Sequence, residues 1–163
     1  QEDQGDYRET LGKHGLDVSG GVLMNPNYNQ TITVYNRIKG TDTEEGKDIW
    51  KRKVIKNCFY KLVQTKIDDG KTAKMAGTYV VRIPESPNYL PYREFVETKG
   101  VGDGFTLNPG DIVVKGECLE EITGKMPNTA SEVLARQKPE AFQITAFSDN
   151  TSHLRGKHYR VGG

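Results

Sequence analysis

The chain has 163 residues, 34% of them apolar, and 23 basic against 22 acidic side chains for a formal net charge of +1. That length suits one domain that buries roughly 70% of its unfolded surface and needs no disulfide or metal staple. Balanced charge excludes a global attraction for nucleic acid. No apolar run approaches the roughly 20 residues that span a bilayer, so the expectation is a soluble chain with no membrane partner, made in a cytoplasm.

Residues 1–29 hold five glycines, few apolar side chains and no sustained periodicity, and read as an N-terminal arm outside the core domain. Met24 falls in this stretch and is a candidate start of a shorter form, which leaves the native status of residues 1–23 open. A single domain is expected over residues 30–163. Its first strand, residues 30–38, sets Ile32, Val34 and Ile38 on one pleat face and Thr31, Thr33, Tyr35 and Arg37 on the other, the first buried and the second wet. A polar hairpin loop at 39–47 leads to strands at 48–55 and 58–67, and Asp68-Asp69-Gly70 signals a tight turn. The next strand covers 78–83 and stops at Pro84 and Pro87.

Residues 84–104 carry three prolines, three glycines, Tyr89, Tyr92 and Phe95, the composition of a long loop that is either functional or mobile. Asn108-Pro109-Gly110 then fixes a bend, because proline presets φ and glycine accepts the positive φ after it. Ile112, Val113 and Val114 follow as a strand buried on both faces or bent into a barrel wall, and residues 117–123 continue extended. Thr129-Ala-Ser-Glu132 has the spacing of a capping box and predicts the chain's one helix at 129–137, ahead of Pro139. A strand over 142–147, a turn at 148–152 and a last hairpin arm at 153–161 complete the chain. The fold class is mainly β: a closed or partly open antiparallel barrel or sandwich of about seven or eight short strands, one short helix and extended arms.

Reactive constellations are sparse. His153 and His158, placed in one strand, would face opposite ways, and Cys58 and Cys118 lack metal or redox spacing and read as reduced, partly buried thiols. Gly100, Gly102 and Gly104 resemble a phosphate loop only superficially; no strand leads in and no Gly-Lys-Ser/Thr follows, so a hinge is expected. The sequence implies no enzyme, no cofactor and no metal. Residues 47–66 do carry seven basic residues against Asp48, and Lys51, Arg52, Lys53 and Lys56 form a candidate basic patch for a DNA channel or a partner. The other reading of that run is a solvated strand face.

Thr31-Ile-Thr-Val-Tyr-Asn-Arg37, Trp50-Lys-Arg-Lys-Val-Ile-Lys-Asn-Cys-Phe59, Tyr79-Val-Val-Arg-Ile-Pro84, residues 105–117 and the closing Phe142-Gln-Ile-Thr-Ala-Phe147 with Tyr159-Arg-Val-Gly-Gly163 occur in a distinctive order. In that order they resemble a family of small structural proteins from the head-to-tail assembly region of tailed bacteriophages and prophages of Gram-positive bacteria. The resemblance covers about residues 28–163. It implies a head-completion protein of the virion neck: a head-closure or stopper ring of about twelve copies, built in the host cytoplasm, between the portal and adaptor above and tail proteins below, around packaged double-stranded DNA. It carries over no catalytic residue. Tyr28, Tyr89, Tyr92 and Phe95 are then candidate subunit contacts, since aromatic side chains bury much area at interfaces, unless they cap the barrel's own ends. A tail-terminator ring is the alternative within the same machine, although it predicts a more mixed α/β chain. A single-stranded nucleic-acid-binding β-barrel is the alternative outside it, on the strength of Trp50, Phe59 and Tyr60 among lysines.

Overall fold

The computed structural model describes residues 25–68 and 70–163. Met24, most of the expected arm and Asp69 of the turn lie outside the described residues. Seven strands form one antiparallel sheet: β1 (Gln30–Ile38), β2 (Ile49–Asp68), β3 (Ala73–Pro84), β4 (Ile112–Lys115), β5 (Ala141–Gln143), β6 (Ala146–Asp149) and β7 (His158–Gly162), in the order β5-β4-β1-β2-β3-β7-β6. The mainly β, barrel-like class expected from the sequence is therefore the observed one. Strands β5 and β6 sit at opposite ends of that order, yet only Ile144 and Thr145 separate them in the chain. The sheet must curl to satisfy both facts. Three hydrogen bonds hold the crossing point: Gly110 N to Ile144 O (2.9 Å), Ile144 N to Asp111 O (2.8 Å) and Thr145 N to Gly162 O (2.9 Å). The single strand expected at 142–147 is thus split, because its two halves pair with β4 and β7 at the two ends of the sheet.

The concave face holds the main core, in which Ile32, Val34, Cys58, Val81, Ile83, Leu107, Val113 and Ile144 are buried. The convex face carries a second cluster, where Tyr35, Ile112, Val114, Cys118, Ile122 and Ala141 meet Val133 of helix α2 (Ala130–Gln137). Strand β1 passes between the two clusters, so Thr33, Tyr35 and Asn36 are as buried as Ile32 and Val34, and the face expected to be wet is open only in part, at Thr31 and Arg37. Polarity does not expose Thr33 because its hydroxyl donates to Gly116 O and accepts from Cys118 N, both at 2.8 Å. Such side-chain bonds, together with Tyr35 Oη donating to Glu120 O at 2.7 Å, hold residues 116–120, which form no strand, against β1.

The strands expected at 48–55 and 58–67 are one 20-residue strand. A bulge interrupts its register with β1: Ile32 faces Ile55 but Gln30 faces Cys58, with Asn57 at φ 60° taking the left-handed conformation that asparagine tolerates. The extra residue shifts the alternation, so Ile55 and Cys58, three apart, both point inward. The third strand also begins earlier than expected, at Ala73.

Two α-helices are present among the described residues where one is expected. Helix α2 has the predicted reciprocal capping box, with Glu132 N donating to Thr129 Oγ1 and Thr129 N to Glu132 Oε2. Helix α1 (Tyr92–Glu97) lies inside the 84–104 excursion, begun by Pro91 and ended by Gly100, whose N–H bonds to Phe95 O at 3.2 Å. Gly100 (φ 66°) is also packed against Lys51: a Cβ there would lie 2.5 Å from Lys51 Cγ. The glycine expected to act as a hinge is a helix stop held by its surroundings. No helix among the described residues is long and apolar enough to cross a membrane.

Candidate interaction surfaces

Strand alternation decides the fate of the basic run at 51–56. Register with β1 sets Lys51 and Lys53 on the concave side with Asn36 and Val34, and Arg52 on the convex side with Tyr35. Lys56 follows Arg52's parity. The four residues therefore form no single patch. Arg52 bonds Glu121 Oε1 (2.9 Å) and Cys118 O (3.1 Å), which clamps the 117–123 segment, and Lys53 reaches Asp103 at 3.4 Å. Of the four, Lys56 alone is exposed.

The candidate contact aromatics are likewise divided. Phe95 is 1% exposed and packs in the chain's own interior, so it is not available to a neighbouring subunit. Tyr89 stacks on Tyr159 at 4.2 Å between centroids and meets Phe105 edge-on, closing one end of the core. Tyr92 accepts from Lys39 N (3.1 Å) and donates to Asp42 Oδ2 (2.6 Å), tying α1 to the β1–β2 loop. Tyr28 leans on Phe59, whose other neighbour is the Arg82 guanidinium. Tyr60 contacts Tyr79 and Phe142 on the concave side and donates to Glu140 O, whereas Trp50 joins the convex cluster, so Trp50 and Tyr60 do not share one stacking platform.

The densest buried polar cluster surrounds the 108–111 bend. Asp111, 1% exposed, accepts from Arg37 N at Oδ1 and from Asn36 Nδ2 and Asn108 N at Oδ2, each at 3.0 Å. Asn36 also bridges to the Thr106 backbone, donating to its carbonyl and accepting from its N–H. Burial raises the Asp111 carboxyl to about 6, against the three N–H donors and Arg37, which pull it down. Every acceptor is directed at the chain's own backbone or amide groups, which makes the cluster a clamp between β1 and the bend. His153 and His158 meet edge-on with centroids 6.5 Å apart, because His153 lies in a turn rather than in β7. Both ring nitrogens of His158 face protein groups, Gly156 O and Asn150 Nδ2. Cys58 and Cys118 are free and buried in separate clusters, and burial pushes the Cys58 thiol up to about 12. No group of three potential metal ligands occurs among the described residues.

What the sequence reading did not anticipate is a surface feature. Strand β1 pairs with β2 only as far as Cys58, and β7 pairs with β3 only from Val80 onward. Tyr79 N still bonds to Gly163 O at 3.0 Å, but beyond it the distal parts of β2 and β3 pair with each other alone, from Val63 with Thr78 to Asp68 with Ala73, as a two-stranded ribbon projecting from the body. Val63, Ile67 and Met75 on this ribbon are 42%, 51% and 66% exposed. At the opposite end of β2, a groove of about 350 Å³ is lined by Ile38, Ile49, Val96 and Val101 together with Asp42, Glu44, Glu45, Lys51 and Lys99. The alternation of β-branched Val63, Thr65 and Ile67 with Gln64 and Lys66 was the available sequence signal, but nothing local shows that no third strand covers it.

Fold and surface define a curled antiparallel β-sheet protein with a projecting ribbon and internally satisfied polar clusters. Residues 27–163 match the model of a family of unknown function, DUF6751, and the chain belongs to that family. No curated protein and no solved structure matches it.

Proposed function

We propose that the chain is a structural subunit of the neck of a tailed-phage virion, a head-closure or stopper ring between the portal and adaptor above and the tail below. The observation that carries this reading is the ribbon of β2 and β3. A two-stranded hairpin is marginal in water by itself, and one with free edges on both sides and apolar residues on both faces is built to be covered. The body supports the same reading, since its described polar clusters tie its own segments together rather than converging on an open cleft. The motif order in residues 28–163 adds the resemblance to head-completion proteins. In this role the protein acts mechanically: copies of the barrel-like body stand around packaged double-stranded DNA, and their projecting segments lock neighbour to neighbour.

Imaging purified virions from a producing strain with the chain labelled tests the proposal. A ring of copies on the particle axis between capsid and tail is expected. Particles with no copies at that position would end the reading.

A further inference from the structure

We infer that the distal ribbon of β2 and β3 on one copy seats in the groove beside α1 on the next copy, a head-to-tail contact that repeats around the assembly. The inference rests on the ring reading above and adds to it the two surfaces that meet. Both surfaces lie on the same strand: Ile49 at the start of β2 lines the groove, and Ile67 near its end lies on the ribbon. At about 3.3 Å per residue, the ends of this strand stand up to roughly 60 Å apart, so a copy does not fill its own groove. A contact between two different patches is heterologous, and repetition of it gives a closed ring when the rotation divides a full turn.

The chemistry of the two surfaces matches. Ile67 and Lys74 share one face of the ribbon, and Lys66 and Met75 the other, as their register pairs require. Residues 61–78 contain four lysines against two aspartates. Lys66 and Lys74 have no ion-pair partner among the described residues, and the groove is lined by Asp42, Glu44 and Glu45 against Lys51 and Lys99, which leaves it one negative charge in excess. Within the groove, Lys99 is already held by Glu44 at 3.4 Å. Ile49 and Val101, 42% and 75% exposed, supply apolar surface for Ile67 or Met75 to cover. Duplex DNA suits the ribbon less well, because its lysines are divided between two faces and interleaved with exposed apolar side chains, whereas a phosphate backbone rewards clustered cations.

The test uses the full chain and two variants altered at exposed positions: Ile67→Glu with Met75→Glu on the ribbon, and Val101→Glu in the groove. Sedimentation and native mass spectrometry should find the wild type assembled and each variant monomeric, with the association constant down about tenfold or more. Urea midpoints close to wild type confirm that the variants remain folded. A 1:1 mixture should form a dimer and nothing larger, since one variant keeps a working groove and the other a working ribbon. Assembly retained in both variants would overturn this inference and leave the ring reading standing. A wild type that stays monomeric to its solubility limit would overturn both. A ribbon variant that loses binding to a short duplex at low salt, while still assembling, would assign the ribbon to DNA and also overturn the inference.

Discussion

Replacing Asp111 with asparagine tests how the 108–111 clamp is held together. The carboxylate accepts three N–H groups at 3.0 Å, one at Oδ1 and two at Oδ2. An amide keeps one acceptor oxygen and turns an NH2 toward at least one of those donors. Flipping Asn36 offers no escape, because its Oδ1 is already committed to Thr106 N. The variant therefore loses one hydrogen bond and orphans a donor in a buried site, at a cost of about 1–3 kcal/mol. The opposing effect is the burial of charge, which raises the native carboxyl from an ordinary 3.8 to about 6. Between those two values the folded state binds more protons than the unfolded state, so Asp111 lowers stability as pH rises through the window. At 1.36 kcal/mol per pH unit the loss is about 3 kcal/mol. The amide that replaces the carboxyl does not titrate. The stability gap between wild type and Asp111→Asn should therefore shift by about 3 kcal/mol in the variant's favour between pH 4 and pH 7. Urea unfolding followed by fluorescence of Trp50, the only tryptophan, measures both proteins across the range. The wild-type-minus-variant difference cancels Glu120 and Asp149, whose lowered values act with the opposite sign. A gap that stays constant, or widens in favour of wild type as pH rises, would refute the reasoning and show that the three N–H donors outweigh burial.

Phe95→Ala should destabilise the isolated chain by about 3–5 kcal/mol, because the ring is buried in the chain's own interior; a urea midpoint unchanged from wild type would return Phe95 to the surface. Thiol titration of the native protein should show neither Cys58 nor Cys118 reacting with an aromatic disulfide reagent until denaturant is added, since both are buried and the Cys58 thiol is pushed up to about 12. Rapid labelling of Cys58 in the native protein would contradict its place in the core. Thr129→Ala removes the hydroxyl half of the α2 capping box and should cost about 1 kcal/mol in the same urea assay, whereas Lys56→Ala, at an exposed position with no ion pair among the described residues, should fall within about 0.5 kcal/mol of wild type.

The elements legible in the sequence are those whose signal is local. Thr129 and Glu132 three residues apart specify a capping box by themselves, and the Asn108-Pro109-Gly110 bend needs only the φ preferences of proline and glycine. Ile112, Val113 and Val114 are buried in succession, as an unbroken branched run requires. Helix α1 was hidden because six residues give too little periodicity to read, and its bounding Pro91 and Gly100 are equally the marks of a loop. The aromatics of the excursion pointed to surfaces because composition states that large rings are present, not which way they turn.

From the amino-acid order alone came the mainly antiparallel β architecture, the α2 helix and the bend at 108–111, because each rests on alternation, capping or backbone preference within a few neighbouring residues. Only the tertiary structure decided that β1 is buried on both faces over its central residues, that the Asn57 bulge fuses two strands and re-aims Cys58, and that Lys51 and Lys53 part from Arg52. It also decided that the ribbon of β2 and β3 stands uncovered, since a free strand edge is defined by which distant strands fail to reach it.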